Sequence, residues 1–211
     1  STVEEDLCPT SPPSFTSSLS NDADRDGCED NGEDLDDDND GFVDSEDACP
    51  LVAGTSSLGE VLGCADGDDD GYSDVIDVFP VDGTQWSDLD EDGYGDNPDG
   101  TQGDACPAQP GTSTQDRFGC ADADDDGWSD ANDAFPQVSS QHLDADGDGY
   151  GDAALGFQPD ACPETAGTST QDRFGCVDSD DDGWSDANDA FPDEPTQHSD
   201  ADGDGYGDNP N

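Results

Sequence analysis

Aspartates recur down this chain at the spacing Asp-x-Asp-x-Asp-Gly-x-x-Asp-x-x-Asp. Oxygens at loop positions 1, 3, 5, 9 and 12, with a backbone carbonyl at position 7, can wrap one hard divalent cation, and glycine at position 6 allows the sharp turn. Four runs keep the full pattern. They are Asp36, Asp38, Asp40, Asp44 and Asp47; Asp66, Asp68, Asp70, Asp74 and Asp77; Asp122, Asp124, Asp126, Asp130 and Asp133; and Asp178, Asp180, Asp182, Asp186 and Asp189. Four looser runs lie between and around them. Asp22, Asp24, Asp26 and Asp30 carry Glu33 at position 12, and Asp88, Asp90, Asp92 and Asp96 carry Asp99 there. Asp144, Asp146, Asp148 and Asp152 meet Leu155 at that position, and Asp200, Asp202, Asp204 and Asp208 meet Asn211. The missing ligand is expected from elsewhere, with Asp104 and Asp160 the candidates, each 16 residues past its loop start. The expectation is about eight or more Ca²⁺ per chain.

The elements that position such loops must do so with little else. The formal charge is −55, with 58 acidic and 3 basic residues among 211. A chain so charged and so poor in hydrophobics (28%) stays disordered unless cations compensate it. Eight Ca²⁺ would bring sixteen positive charges and leave it near −39. Too little apolar surface is available for a conventional core, so metal- and disulfide-stapled units are expected instead. The charge argues against nucleic acid as a partner and against anionic membranes except through calcium bridges. No apolar run is long enough to span a bilayer. The first residue is Ser1, which suggests either a removed leader or a section of something longer.

The eight cysteines fall in local pairs, with each Cys-Pro followed 14 to 20 residues later by a second cysteine. Repetition favours the disulfides Cys8–Cys28, Cys49–Cys64, Cys106–Cys120 and Cys162–Cys176. Zinc competes for these cysteines, but the spacing is not Cys-x-x-Cys and two histidines do not complete such sites. Disulfides together with calcium loops point to an extracellular or cell-surface location.

The sequence is tandem with a period of 56 or 57, seen in Cys49, Cys106 and Cys162 and in Phe79, Phe135 and Phe191. It divides into a short N-terminal unit over 1–48, then units over 49–105, 106–161 and 162–211. Each long unit reads as a Cys-Pro loop, a full cation loop, Phe-Pro, and a second loop ending in Gly-Tyr-Gly-Asp. Repeats of this kind form quasi-linear arrays. Asp, Gly, Asn, Ser and Pro favour turns, and no stretch keeps helical or strand periodicity, so the fold class is mostly irregular: an elongated, calcium-stapled repeat array with local disulfides. Single helical turns are expected after some loops, as at Asp130 to Asp133. Tyr72, Trp128 and Trp184 share one slot and are expected to form small hydrophobic plugs between loops.

Asp122 to Asp133 and the Asp-Ala-Cys-Pro segments ending at Pro50, Pro107 and Pro163 resemble thrombospondin type 3 repeats, in a form similar to microbial extracellular members. The resemblance covers nearly all of the chain. It implies an aspartate-lined, calcium-filled, extended structure with almost no hydrophobic core. The Phe-Pro segment and the local cysteine spacing depart from the animal proteins, so disulfide connectivity does not carry over.

By the period, the next Cys-Pro would fall at position 218. Joining Asn209-Pro210-Asn211 to Ser1 through Pro9 nearly reproduces the internal junction from Asn97 to Pro107. The expectation is one period of a longer object, either a longer polypeptide or chains meeting head to tail as an open filament, with Asp6 completing the Asp200 loop. The leading function is an extracellular calcium-rigidified fibre or stalk. The alternative is a calcium-dependent adhesion or spacer module with a cell-surface or matrix partner. Modules of this kind bind calcium with Kd of about 10⁻⁴ to 10⁻³ M. An enzyme is not expected: His142 and His198 share their slot with Trp86, and no Ser-His-Asp or Cys-His pair has supporting context.

Overall fold

The computed structural model describes residues 16–30, 32 and 34–209. Among them there is no helix and no strand, and one isolated bridge joins Gly151 to Pro159. The chain forms two compact units, one ending at Pro107 and the other starting at Ala108. The fold is the irregular, disulfide-rich architecture that the sequence predicts.

Backbone order comes from the loops themselves. In all eight, the position-9 N–H donates to the carbonyl just before position 1, as from Asp74 to Ala65 at 2.9 Å and from Asp152 to Leu143 at 2.9 Å. The four full loops then make one α-type turn, in which Asp47, Asp77, Asp133 and Asp189 donate to the carbonyls of Val43, Ser73, Ser129 and Ser185. This is the expected single turn after the loop. Position 4 is left-handed in every loop: φ is 66° at Arg25, 57° at Asn39, 62° at Asp69, 64° at Glu91, 61° at Asp125, 78° at Gly147, 61° at Asp181 and 72° at Gly203. Non-glycine residues pay about 1–2 kcal/mol for that conformation, so something in the folded loop must hold them there.

The Cys-Pro loops are closed by Cys49–Cys64 in the first unit and Cys162–Cys176 in the second. Cys106 and Cys120 are also disulfide-bonded, and no described cysteine is free. The expected partner of Cys28, Cys8, lies outside the described residues. Cys28, Cys64, Cys120 and Cys176 are the buried hydrophobic residues among those described, so cystine sulfur is the apolar core. Beside it sits a fully buried serine. Ser56 Oγ donates to the Val61 carbonyl at 2.9 Å and accepts the Cys64 N–H at 2.8 Å; Ser113 and Ser169 repeat the arrangement with Arg117 and Cys120, and with Arg173 and Cys176. Each such loop then docks on its cation loop: Ser57 and Leu58, Thr114 and Gln115, and Thr170 and Gln171 donate N–H groups at 2.8–2.9 Å to the position-6 carbonyls of Gly71, Gly127 and Gly183.

The aromatic slot differs from the expected hydrophobic plug. Tyr72 stacks on Trp86 at 5.4 Å between ring centroids, Trp128 on His142 at 4.6 Å, and Trp184 on His198 at 4.5 Å. None of these rings is fully buried. The position requires a flat ring to stack on, and a buried hydrophobe is not required, which is why histidine and tryptophan exchange there.

Candidate metal centre

The geometry of the loops divides many of their carboxylates into two oxygens with different tasks. One oxygen holds the backbone. At position 1, Asp66, Asp122 and Asp178 accept the position-6 glycine N–H through Oδ2 at 2.8–2.9 Å. At position 3, Asp68, Asp124 and Asp180 accept the N–H two residues on. At position 5, Asp70, Asp126 and Asp182 accept the N–H of the aromatic residue that follows the glycine. At position 9, Asp74, Asp130 and Asp186 reach back to the N–H of position 2 at 2.7–2.8 Å. At position 12, Asp77, Asp133 and Asp189 hold the N–H of the following Phe at 2.6–2.7 Å. The Asp36 loop repeats the scheme, ending with Asp47 on the Cys49 N–H.

The second oxygen is where the cation argument rests. Buried carboxylate oxygens without a hydrogen-bond partner fall at the loop positions: Asp36 Oδ1, Asp66 Oδ1 and Asp178 Oδ1 at position 1; Asp38, Asp68, Asp124, Asp146 and Asp180 Oδ2 at position 3; Asp70 Oδ2 at position 5; and Asp47 Oδ2 at position 12. Asp22 has both oxygens buried and unpartnered, with no exposure at all. Uncompensated buried carboxylates are costly, and a cation is the ordinary remedy. Oxygens of Asp22, Asp24 and Asp26, of Asp36, Asp38 and Asp40, and of Asp66, Asp68 and Asp70 lie within 4.8 Å of one another in each set. Two like charges about 5 Å apart at an effective dielectric of about 20 repel by about 3 kcal/mol. Burial first, with neighbouring carboxylates adding to it, pushes the acids of Asp38, Asp68, Asp124, Asp146 and Asp180 above the ordinary aspartate range. These Asp clusters can hold metal ions, and the donor set, all hard oxygen, fits calcium chemistry.

The looser loops follow the same scheme, with a displaced carboxylate at the Asp88 and Asp144 loops. Asp88, Asp144 and Asp200 accept their glycine N–H groups at 2.9–3.0 Å. Asp92, Asp148 and Asp204 hold the tyrosine N–H, and Asp96 and Asp208 reach back to position 2. Asp146 and Asp202 hold the position-5 N–H, and the Asp152 N–H closes its loop on Leu143. Asp104 is 3% exposed, holds the Cys106 N–H through Oδ1 and keeps Oδ2 unpartnered; the carboxylates of Asp92, Asp90 and Asp96 face it. Asp160 does the same with Cys162, facing Asp148, Asp146 and Asp152. Asp99 stands exposed on the turn over 97–100, where Gly100 N–H bonds Asn97. Asp104, and not Asp99, is therefore the carboxylate brought to the Asp88 loop.

In the Asp22 loop, Asp24 and Asp26 hold N–H groups two residues on, and Asp30 bonds the Ala23 N–H at 3.0 Å. Glu33 and Asn211, and with them position 12 of the Asp22 and Asp200 loops, lie outside the described residues, as does Asp6. The part that Asp104 and Asp160 play is taken here by Asp34. Its Oδ1 accepts the Asp36 N–H at 3.1 Å, its Oδ2 is buried and unpartnered, and it lies within 4.8 Å of Asp26 and of Cys28 sulfur. That sulfur is disulfide-bonded and offers no thiolate.

Three residue sets that hold the loops were not assigned from the sequence. Gln85 and Gln141 are almost wholly buried. Gln85 Oε1 accepts the Asn97 N–H at 3.0 Å, and its Nε2 donates to the carbonyls of Asn97 and Thr101; Gln141 does the same for Ala153 and Phe157. Gln197 accepts the Asn209 N–H. Asp116 accepts from Ser129 N–H and Oγ and from Asn132, and Asp172 does so from Ser185 and Asn188. Burial works against their charge, but these hydrogen bonds outweigh it and hold both near 2. The third is Asp34, with its neighbour Asp37. The 56-residue recurrence of Gln85, Gln141 and Gln197, and of Asp116 and Asp172, was the available signal for the first two sets; nothing local marks the third.

Protein-family models give no match to this chain, and neither do curated proteins. Among the described residues no helix is long and apolar enough to cross a membrane.

Proposed function

We propose that this chain is an extracellular structural protein, a calcium-rigidified fibre or stalk built from thrombospondin type 3 repeat-like loops. One observation carries the reading: buried carboxylate oxygens without partners fall at the same loop positions in repeat after repeat, while their twin oxygens brace the backbone. Calcium, one ion to each of the eight loops or more, supplies the charge that 3 basic residues cannot. Cystines at the described Cys-Pro loops support an oxidising location. The chain is assigned no reaction, and both histidines serve as stacking partners of tryptophan.

Head-to-tail continuation, within a longer chain or between chains, accompanies this reading. A spacer or adhesion module is the second reading, supported by Leu155 and Phe157, two apolar side chains exposed on one turn. Imaging and X-ray scattering with calcium and after chelation test both. Stiff rods or fibres that collapse with EGTA are expected. Particles unchanged by EGTA would refute the calcium scaffold, and isolated short rods would refute the filament.

A further inference from the structure

The eight-loop register does not account for Asp37. It stands at position 2 of the Asp36 loop, where the other loops carry Ala, Gly, Leu or Ser. Its side chain is 8% exposed, and its Oδ1 is buried with no hydrogen-bond partner. One carboxylate oxygen each from Asp30, Asp34 and Asp37 lies within 4.8 Å of the others. The charged groups facing Asp37 are the carboxylates of Asp44, Asp30, Asp34 and Asp38. Arg25 is the sole basic side chain in residues 1–107, and it is exposed. Asp22, Asp24 and Asp26 make one separate cluster and Asp36, Asp38 and Asp40 another; the triad draws Asp30 from position 9 of the first loop, shares Asp34 with that loop and adds Asp37 from the second.

We propose that Asp30, Asp34 and Asp37 form a further divalent-cation site between the first two loops, taking calcium. The proposal rests on the calcium reading and goes beyond its eight loops. Three oxygens within 4.8 Å of one another suit Ca–O distances of about 2.3–2.6 Å. Asp34 is shared: it faces Asp26 of the first loop as well as Asp30 and Asp37. A carboxylate placed between two cations bridges them and fixes one loop against the next. The local sequence gives the reason for this arrangement. These two loops begin 14 residues apart, not 22, with neither a Phe-Pro segment nor a Cys-Pro loop between them. The bridging ion does the work of the missing connector.

Anomalous diffraction from crystals of the full chain grown with calcium locates the ions directly. A peak within bonding distance of Asp30, Asp34 and Asp37 is expected, separate from the peaks of the Asp22 and Asp36 loops. Peaks in those loops with none at the triad would overturn this inference and leave the calcium reading intact. No peaks in the loops would overturn both. Native mass spectrometry supplies a second measure: Asp37→Asn, which keeps the backbone N–H bond to Asp44, should bind one ion fewer than the parent. The control Asp69→Asn, at an exposed position 4, should bind the same number as the parent. An unchanged count in Asp37→Asn would also sink the proposal.

Discussion

The side-chain amide of Gln141 pairs with the backbone of Ala153, accepting its N–H at 2.9 Å and donating to its carbonyl at 3.2 Å. With a further bond to Phe157, the buried glutamine mimics a strand neighbour for a segment that has no strand. Gln141→Ala would leave one N–H and two carbonyls unsatisfied in a buried place, at about 1–3 kcal/mol per group before relaxation. The expected loss in calcium-saturated protein is about 2–4 kcal/mol. Gln141→Glu should also destabilise, because a carboxylate accepts but cannot donate. Denaturant unfolding of the two variants checks this, and a loss in Gln141→Ala alone would contradict the donor role.

Two glycines of the same loop should respond differently. A Cβ at Gly147 meets nothing, but its φ of 78° is left-handed, so Gly147→Ala should cost about 1–2 kcal/mol from backbone strain alone. A Cβ at Gly151 would run into the buried Gln141 amide, which cannot retreat without losing its bonds. Gly151→Ala should cost about 1–3 kcal/mol through overpacking, and Gln141→Ala should relieve part of that cost in the double variant. Additivity in that double-mutant cycle would disprove the contact.

Asp104 and Asp99 separate a structural assignment from a sequence register. Asp104→Asn should weaken the Asp88 loop's calcium affinity by about tenfold or more, the equivalent of about 1.4 kcal/mol. Asp99→Asn, at an exposed turn, should leave it unchanged. Calcium titration of the full chain with each variant reads the difference.

Opposite pH responses are built into different carboxylates. Asp116 and Asp172 are held near 2, below the ordinary value of 3.8. Their contribution is present above pH 3.8 and lost as pH falls through about 2, because the unfolded chain takes up protons first. Asp37 is raised to about 6 by burial and by Asp44, Asp30 and Asp34. Without a cation its contribution is full below pH 3.8 and lost as pH rises through about 6. In EGTA, acidification from pH 7 to 5 should therefore make the chain more compact, and in saturating calcium that response should vanish. Small-angle scattering across both series tests it, and expansion on acidification in EGTA would contradict the sign.

The loops were legible in the sequence because their function is in their spacing: Asp122 to Asp133 states its own ligand order. The local disulfides were legible for the same reason, through repetition of Cys-Pro and Gly-Cys. The fifth ligand was legible only where it recurred at a fixed offset, as in Asp104 and Asp160. Asp34 plays the same part after a shorter connection, so the offset hides it. Left-handed position 4 left no residue signature, since Arg25, Asn39, Asp69 and Gly147 all accept it under constraint from the bonds on either side. The only mark of Gln141 in the sequence is the 56-residue recurrence that it shares with Gln85 and Gln197. The part played by Asp116 is hidden in the sequence because its partners Ser129 and Asn132 lie 13 and 16 residues away.

Most of the carboxylate bonds that shape a loop span two to seven residues, and a few longer ones, from Gly54 to Asp40 and from Gly167 to Asp148, tie a loop to the segment that follows it. Under tension such a chain has no single seam to tear. Apart from the first two loops, which Asp34 ties together, each loop should release its ion and extend by itself, leaving its neighbours intact behind their cystines. Pulled in a calcium solution, the protein should lengthen in small, recoverable steps, absorbing load as a row of independent catches that reset when the force is removed.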